Sequence, residues 1–446
     1  MCFTPHTDED RRLMLERIGV RTVDELFAGI PKDIRLKRRL ELPAPVSELE
    51  VLAELGQLAE ANQDLICFAG CGAYDHFIPA VVDAIISRSE FYTAYTPYQA
   101  EVSQGTLQSI YEFQSLICRL FDMEVANASM YDCASALAEA THMARDITHR
   151  SRVLLSGGVN PRYVQVVQTY AQGLSIPVET VALVNDSSDL ASLEKSLSSD
   201  VAAVIVQHPN FLGSLEPTVE IGRLAHAAGA LLVVAVDPIS LGILPAPGTY
   251  DADIVVAEGQ SLGIPLSFGG PYLGLMATRR RYVRTMPGRL VARTTDLDGN
   301  IGYVLALQTR EQHIRRERAT SNICTNQALC ALAASVYLSW MGPDGLREVA
   351  TQCHAKSSYL ASAIAKIPGF TLWNRNPYFK EFVVRTPVPA RAIIAEGMKH
   401  GLLCGVDLGC FRREWESLLL VAVTEKRTRT ELDAYARFLK QEFGSR

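Results

Sequence analysis

The segment Leu231-Leu232-Val233-Val234-Ala235-Val236-Asp237 consists of six apolar residues followed by an acidic one. The residues before it, Thr218–Gly229, have helical spacing and end on a glycine, as many helices do. A strand that is apolar on both faces is typical of a parallel sheet covered by helices on both sides. The segment therefore predicts an α/β fold.

The same alternation of apolar runs and helical patterns extends over much of the chain. The other runs that predict buried strands are Arg152–Leu155, Pro177–Val181, Val201–Val206, Asp253–Val256 and Tyr272–Ala277. The other helical patterns are Pro161–Gly173, Asp189–Leu197, Asn326–Trp340 and about Gly345–Ile367, with a last one from about Thr428. We therefore expect a mostly parallel sheet with helices on both faces.

Three parts of different composition follow one another along the chain. Residues 1–60 are charged and helix-prone, with too little apolar content for a core of their own, and Ser47 and Glu50 have the spacing of a capping box. Residues 61–320 carry the α/β pattern, whereas residues 321–446 begin with long helices. We predict an N-terminal extension that embraces another domain or subunit, a large α/β domain, and a smaller C-terminal α+β domain.

The composition of the 446 residues argues against several classes of protein. The net charge of −6 argues against general nucleic-acid binding. No apolar run reaches the roughly 18 residues that a membrane helix needs, and Met1–His6 lack the pattern of a secretory signal. The ten cysteines include no CxxC pair, so we predict reduced thiols and no metal site. We expect a cytoplasmic protein.

A single lysine, Lys195, lies between Ala61 and Ala355, although this part of the chain resembles the large domain of enzymes that use pyridoxal phosphate (PLP). Such enzymes hold the cofactor as an imine on a lysine amine. Where that lysine is expected, after a strand and before a glycine-rich loop, the chain has Gln260. An amide cannot form the imine, and Lys195 is predicted to lie on a surface helix. The sequence therefore indicates half of an active site.

Three loops are predicted at the carboxyl ends of the strands, where ligands bind in open parallel sheets. They are Gln207–Gly213, the residues from Asp237 onward, and Glu258–Pro271. An aspartate in the position of Asp237 pairs with the pyridinium nitrogen in PLP domains, but it also suits a cap on the turn at Pro238-Ile239. The sequence leaves both interpretations open.

Eight segments that span almost the whole chain are long and of low degeneracy. They are Pro5–Gly19, Glu90–Glu101, Ser103–Gly105, Ala126–Asp132, Gln207–Gly213, Glu258–Gly270, Thr309–Glu317 and Ala319–Thr325. Together they resemble the glycine cleavage system P-proteins (decarboxylating glycine dehydrogenases), in particular the first subunit of the two-subunit type. In that family the catalytic lysine belongs to the companion subunit, so Gln260 follows the family's pattern.

The resemblance implies the fold of PLP-dependent transferases of fold type I and a defined activity. In the family, glycine is decarboxylated on PLP and the aminomethyl group passes to the lipoyl arm of the H-protein. The second (β) subunit holds the cofactor covalently, and we expect an α2β2 assembly with one cofactor per αβ pair. Two rival hypotheses are a non-catalytic scaffold or regulatory subunit and a self-sufficient PLP decarboxylase or aminotransferase.

The resemblance identifies Tyr92–Glu101 as a loop that reaches the partner's cofactor. Tyr95 and Tyr98 are expected to line the partner's pocket, with Thr96 and Gln99 behind them. Phenol hydroxyls can donate hydrogen bonds to a phosphate or a substrate carboxylate, and the rigid rings lose little entropy. The alternative is a packed aromatic turn at the subunit interface.

Two further segments have both a functional and a structural interpretation. Ser267, Gly269 and Gly270 belong to a loop whose backbone can approach the partner's cofactor phosphate closely, although a plain connection between strands is as good an interpretation. Asp132 precedes a helix predicted to start near Ala134, where a phosphate binds in cofactor-bearing relatives. Because a carboxylate repels phosphate, we favour a simple N-cap for Asp132.

Nine arginines form a basic cluster in an otherwise acidic chain. They are Arg279, Arg280, Arg281, Arg284, Arg289, Arg293, Arg315, Arg316 and Arg318. In the family the H-protein is generally acidic, so the cluster is a candidate docking surface for it. The favoured alternative is a solvated face or ion pairs between subunits.

Overall fold

The structure is a computed structural model that describes residues 5–62, 64–267 and 269–444. The chain divides into two compact units, residues 1–63 and residues 64–446. The boundary between a large and a small domain near residue 320 stays a prediction.

The first unit consists of helices joined by irregular segments. Asp8–Ile18 and Glu48–Glu60 are α-helices, and Val23–Phe27 is a 3-10 helix. The predicted capping box is present, because the Glu50 amide donates to Ser47 Oγ and the Ser47 amide donates to Glu50 Oε2. None of residues 5–62 is buried within this unit.

A seven-stranded sheet forms the centre of the second unit. Its strands, in spatial order, are Val125–Ala126, Gly274–Thr278, Ile254–Glu258, Leu231–Val236, Val201–His208, Arg152–Ser156 and Val178–Val181. Gly274–Thr278 runs antiparallel to both neighbours, and the other pairs are parallel. The predicted α/β fold with a mostly parallel sheet is confirmed.

Alternate residues of the central strands bury opposite faces of this sheet. Leu232 and Val234 pack into one hydrophobic cluster, whereas Val233 and Ala235 pack into another. Because successive side chains of a strand point to opposite faces, both faces are covered. This accounts for the uninterrupted apolar run from which the fold was predicted.

The helices of the second unit precede, separate and follow these strands along the chain. They are Ala80–Ile86, Ser89–Tyr92, Gln104–Phe121, Cys133–Thr148, Pro161–Gly173, Leu190–Ser196, Thr218–Ala227, Gln312–Arg315, Ala328–Ile364, Ala390–Lys399 and Arg429–Phe443. Within Ala328–Ile364, Gly342 has a non-helical backbone (φ 59°, ψ −175°) and precedes Pro343. The span is therefore two helices separated by a kink, as the sequence predicted.

The C-terminal part forms a four-stranded antiparallel sheet. Its strands, in spatial order, are Thr371–Leu372, Glu381–Arg385, Leu418–Ala422 and Val406–Asp407. Smaller pairs are Ile66–Cys67 with Leu402–Leu403, Leu183–Val184 with Ser187–Ser188, and a hairpin of Leu290–Thr295 with Ile301–Ala306. The sequence did not predict the hairpin.

Candidate functional site

A small cavity lies at the carboxyl ends of the central strands of the seven-stranded sheet. Its volume is about 30 Å³, which is enough for one or two water molecules. Asp237 and Glu258 from the seven-stranded sheet, Tyr74, and Lys380 beside the C-terminal sheet all line it. The predicted ligand end of the sheet is therefore lined by residues from distant parts of the chain.

Asp237 caps the turn that follows it, which was one of the two interpretations that the sequence left open, and it also forms an ion pair with a lysine of this chain. Its Oδ1 accepts a hydrogen bond from the Ile239 amide (3.0 Å), so the residue caps the following turn. Its Oδ2 lies 2.6 Å from Lys380 Nζ. The charge partner of Asp237 in this structure is thus an amine of the same chain.

Lys380 is 1% exposed, and charged or aromatic groups contact its amine on several sides. Besides pairing with Asp237, Nζ lies 3.6 Å from the ring centre of Tyr74 and 3.0 Å from His76 Nε2. Lys380 lies outside the segment in which a lysine is expected, and it was therefore not predicted as a residue of the site. The pocket therefore contains an amine, that of Lys380, although residues 61–355 include no lysine other than Lys195.

Gln260 occupies the place predicted for a catalytic lysine and serves a structural purpose. It is buried, and its Oε1 accepts from the Tyr74 amide (2.8 Å). Its Nε2 donates to the carbonyls of Tyr74 (3.0 Å) and Ile264 (2.8 Å). The side chain therefore fixes the backbone at Tyr74 beside the cavity.

The amino end of helix Cys133–Thr148 is occupied by two acidic side chains. Asp132 Oδ1 accepts from the Ser135 amide (2.7 Å), which confirms the N-cap. Glu258 Oε2 accepts from the Cys133 amide (3.1 Å), and burial raises the pKa of Glu258 to about 8. Backbone amides at this helix terminus, which a phosphate would need as donors, therefore already donate to carboxyl groups of this chain.

The predicted loop Tyr92–Glu101 lies at the surface of the second unit. Tyr95 is 78% exposed and Tyr98 is 56% exposed, and Gln99 is exposed as well. The Thr96 hydroxyl contacts the Thr325 hydroxyl. The loop is thus anchored to the segment before helix Ala328–Ile364, while its tyrosines face solvent in this chain.

A buried arginine, Arg289, also holds Tyr98 in place. Its hydroxyl accepts from Arg289 Nη2 (3.0 Å), and the guanidinium lies 4.9 Å from the centre of the ring. Arg289 is buried and pairs with the buried Glu311 (Nε–Oε2 3.2 Å). Arg289 is therefore not at the surface, and the prediction of a surface cluster of arginines is wrong for this residue.

Two other members of the basic cluster also have partners within the chain. Arg281 pairs with the buried Asp253 (2.9 Å), and Arg279 donates to the carbonyls of Ala252 and Gly248. The remaining arginines, which are exposed, are Arg280, Arg284, Arg293, Arg315, Arg316 and Arg318.

A second cavity, of about 380 Å³, brings the two predicted loops together. Tyr95 and Thr96 line it from one side and Pro271, which follows Gly270, lines it from another. Gly269 and Gly270 have φ values of 113° and 107°, which favour glycine, and Ser267 accepts from the Gly270 amide. The volume lies within the usual range for small-molecule sites, about 300–1,000 Å³.

The fold defines the class of protein. A sphingosine-1-phosphate lyase of Burkholderia pseudomallei is 13% identical over 91% of this chain and 92% of its own, with a TM-score of 0.66. A cysteine desulfurase of Thermococcus onnurineus is 16% identical over 90% of this chain and 99% of its own, with a TM-score of 0.62. The fold is that of PLP-dependent enzymes of fold type I.

Within this class, the chain belongs to the glycine cleavage system P-protein family, whose sequence pattern matches residues 1–439. It is 53% identical to the probable glycine dehydrogenase (decarboxylating) subunit 1 of Chloroherpeton thalassium, over 99% of this chain and 100% of the relative. The corresponding protein of Chlorobium limicola is 55% identical over 98% and 99%. A crystal structure of glycine decarboxylase (P-protein) in inhibitor-bound form is 43% identical over 99% and 100%, with a TM-score of 0.89.

The residues of this chain's own pocket do not fit PLP. A cavity of about 30 Å³ is far below the roughly 300 Å³ of the smallest ordinary ligand sites. The carboxylate of Asp237 already pairs with Lys380, and the Cys133 amide already donates to Glu258.

Among the described residues, no helix is long and apolar enough to span a membrane.

Proposed function

We propose that this chain is the subunit of a glycine-decarboxylating complex that completes the active site without holding the cofactor. The second subunit then carries PLP on a lysine, and glycine is the substrate. This proposal draws on the membership in the P-protein family and on the misfit between PLP and the closed pocket at Asp237.

The observation that carries the proposal is the exposed tyrosine loop. A folded unit gains little from leaving phenol rings in water, since burial of an aromatic side chain stabilises by roughly 1.5–3 kcal/mol. Tyr95 and Tyr98 are nevertheless more than half exposed, on a loop anchored at Thr96 and by Arg289. An anchored loop with exposed hydroxyls is suited to line a site on another subunit.

Each residue of the loop has a defined part in this proposal. The Tyr95 and Tyr98 hydroxyls donate to anionic groups in the partner's pocket, such as the glycine carboxylate, and Gln99 adds a polar contact. Arg289 orients Tyr98, and Thr96 fixes the loop. Ser267, Gly269 and Gly270 lie just before Pro271, which lines the same cavity, and in this proposal their backbone comes close to the cofactor phosphate held by the partner.

PLP, held by the partner, supplies the electron sink for the loss of carbon dioxide from glycine. The walls that this chain provides exclude water from that reaction. In this proposal the lipoyl arm of the H-protein, which takes up the aminomethyl group, enters the cavity of about 380 Å³ beside Tyr95. Of the basic cluster, the exposed arginines such as Arg280 and Arg284 are available to attract an acidic H-protein.

We further propose that the N-terminal unit attaches this chain to its partner in an α2β2 assembly. The helix Glu48–Glu60 exposes a leucine at every third position, at 49, 52, 55 and 58, and no residue in it is buried. Exposed apolar stripes of this kind mark surfaces that another protein covers. A cytoplasmic location, expected from the sequence, stays a prediction.

The test is the exchange of glycine carboxyl carbon with bicarbonate by the reconstituted complex. Tyr95→Phe removes one hydroxyl and keeps the ring, so we expect turnover to fall by roughly 10-fold or more while the subunits still associate. Tyr359→Phe is the matched control, because Tyr359 is also a surface tyrosine, with its hydroxyl bonded to Asp433.

Two results would count against the proposal. If Tyr95→Phe leaves turnover at the level of the control, the loop has no part in the reaction, and a scaffold or regulatory subunit becomes the better hypothesis. If the variant instead fails to associate with the second subunit, the loop is a packed aromatic turn at the interface.

A further inference from the structure

The closed pocket at the end of the large sheet contains an unusual set of buried polar groups. Lys380 contributes an amine, Asp237 a carboxylate and Glu258 a carboxyl group, all lining one cavity. His76 and Glu425 lie directly behind Lys380, with a distance of 2.6 Å between His76 Nδ1 and Glu425 Oε2. Buried charges are costly unless they are paired, so such a set needs an explanation.

Two of these groups lie against the positions that contact PLP in cofactor-bearing relatives. In relatives that bind PLP, the aspartate at the strand end faces the pyridinium nitrogen, and the amino end of the helix that corresponds to Cys133–Thr148 faces the phosphate. Here Asp237 faces the Lys380 amine, and the Cys133 amide at the helix terminus faces the Glu258 carboxyl. The two groups that face Asp237 and the Cys133 amide, the Lys380 amine and the Glu258 carboxyl, thus belong to this chain.

We propose that this chain fills its own cofactor pocket, with the Lys380 amine in the place of the pyridinium nitrogen, and that the Lys380–Asp237 pair fastens the C-terminal sheet to the large sheet. The pocket is therefore a permanent joint inside this subunit, closed to PLP. This inference goes beyond the proposed function, because it concerns how the chain remains folded and cofactor-free.

Neighbouring contacts show that the joint extends beyond one ion pair. Glu381, next to Lys380, accepts from the Tyr74 hydroxyl and from the Cys71 amide, both at 2.8 Å. A Cβ added at Gly213 would lie 2.1 Å from the Glu381 carbonyl oxygen, so the loop after the strand Val201–His208 packs directly on the C-terminal sheet. The Phe379 amide also donates to the Gly213 carbonyl.

For a buried ion pair of this kind, we expect the effects of single and double substitutions on the free energy of unfolding to be non-additive. Removing one partner leaves an unpaired charge in the interior, whereas replacing both by uncharged residues of similar size removes the cost together with the pair. The effects of Lys380→Met and Asp237→Asn should therefore be far from additive. Asparagine keeps the oxygen that accepts from the Ile239 amide, so the cap survives the substitution.

The experiment is a double-mutant cycle on the full chain, read by urea unfolding. We expect each single variant to raise the unfolding equilibrium constant by roughly 100-fold or more, and the double variant to raise it by less than about 10-fold. The matched control cycle is Lys426→Met with Asp75→Asn, an ion pair of the same residue types that is partly exposed (2.7 Å). Its coupling should be about 3-fold or less.

A second measurement concerns the cofactor directly. Addition of PLP to the wild-type chain, without its partner, should leave the unfolding midpoint unchanged, because no ligand binds the folded state. Additive effects of the two substitutions, or a double variant that fails to fold, would overturn the inference. So would a PLP-dependent rise in the midpoint. The double-mutant cycle does not involve glycine turnover, so its failure is distinct from a failure of the proposed function, whereas a PLP-dependent rise in the midpoint would count against both.

Discussion

At the scale of single residues, the pairing of Lys380 with Asp237 explains why this pocket cannot be understood from the missing lysine alone. Gln260 cannot form an imine, as the sequence indicated, but its amide also supports the backbone at Tyr74. His76 and Lys380 are 304 residues apart in the sequence. Contacts over such distances depend on how the two sheets meet, and no local pattern predicts them.

The sequence was more informative about residues that act locally. The cap at Ser47 was predicted from Glu50, three residues on, and the cap at Asp132 from its place before a helix, and both caps are present. Arg289 was assigned to a surface cluster because charge usually implies exposure, whereas its partner Glu311 allows it to be buried. The roles of Tyr95, Tyr98 and Ser267 depend on a partner chain and stay proposals.

Glu381 provides a prediction about pH at this scale. Burial raises the pKa of Glu381 from the ordinary value of 4.5 to about 7. Between these two values the folded state keeps the proton and the unfolded state has lost it, so stability falls as the pH rises. Below 4.5 both states are protonated, and above about 7 neither is, so this contribution changes only within that window.

Glu381→Gln should remove this part of the pH dependence. We expect the wild type to lose on the order of 2 kcal/mol more unfolding free energy than the variant between about pH 5 and about pH 8. Urea unfolding at both pH values measures the difference. Glu442→Gln, at an exposed position of the last helix, is the control and should follow the wild type. Parallel curves for Glu381→Gln and wild type would disprove the assignment.

At the scale of elements, the strands were predicted well because both faces of the large sheet are buried. An uninterrupted apolar run such as Leu231–Val236 is compatible with few structures other than a buried strand. The observed bounds of this strand are those predicted. The direction of Gly274–Thr278 could not be predicted, because an antiparallel strand buried on both faces has the same apolar pattern. The hairpin of Leu290–Thr295 with Ile301–Ala306 is half exposed, and its only signal is the turn at Asp298-Gly299-Asn300.

The exposed leucines of the helix Glu48–Glu60 indicate a surface that the second subunit covers. Leu52 and Leu55 are 62% and 56% exposed, and each would contribute roughly 1.5–3 kcal/mol if a partner covered it. The double variant Leu52→Glu with Leu55→Glu should therefore weaken binding to the second subunit by roughly 100-fold or more. Titration of the partner, followed by light scattering, measures the affinity.

Glu54→Gln on the same helix is the control for this pair of substitutions, and it should bind the partner as the wild type does. The unfolding midpoint of the full chain should not fall in either variant, because the substituted side chains are exposed. Unchanged affinity of the double variant would mean that this helix does not contact the second subunit.

At the scale of the whole molecule, the chain combines a closed pocket with an exposed loop. The pocket at Asp237 has the architecture of a cofactor site but a volume of about 30 Å³. The loop with Tyr95 borders a cavity of about 380 Å³ that is large enough for a substrate group. This distribution fits a subunit that has lost its own cofactor site and serves the site of another.

Reduction of the PLP-loaded complex with borohydride, followed by peptide mapping, tests this account most directly. Borohydride fixes the cofactor to the lysine that holds it as an imine. We predict one labelled lysine per αβ pair, on the second subunit, and no label on this chain. A label on Lys380, Lys195 or any other lysine of this chain would contradict the account.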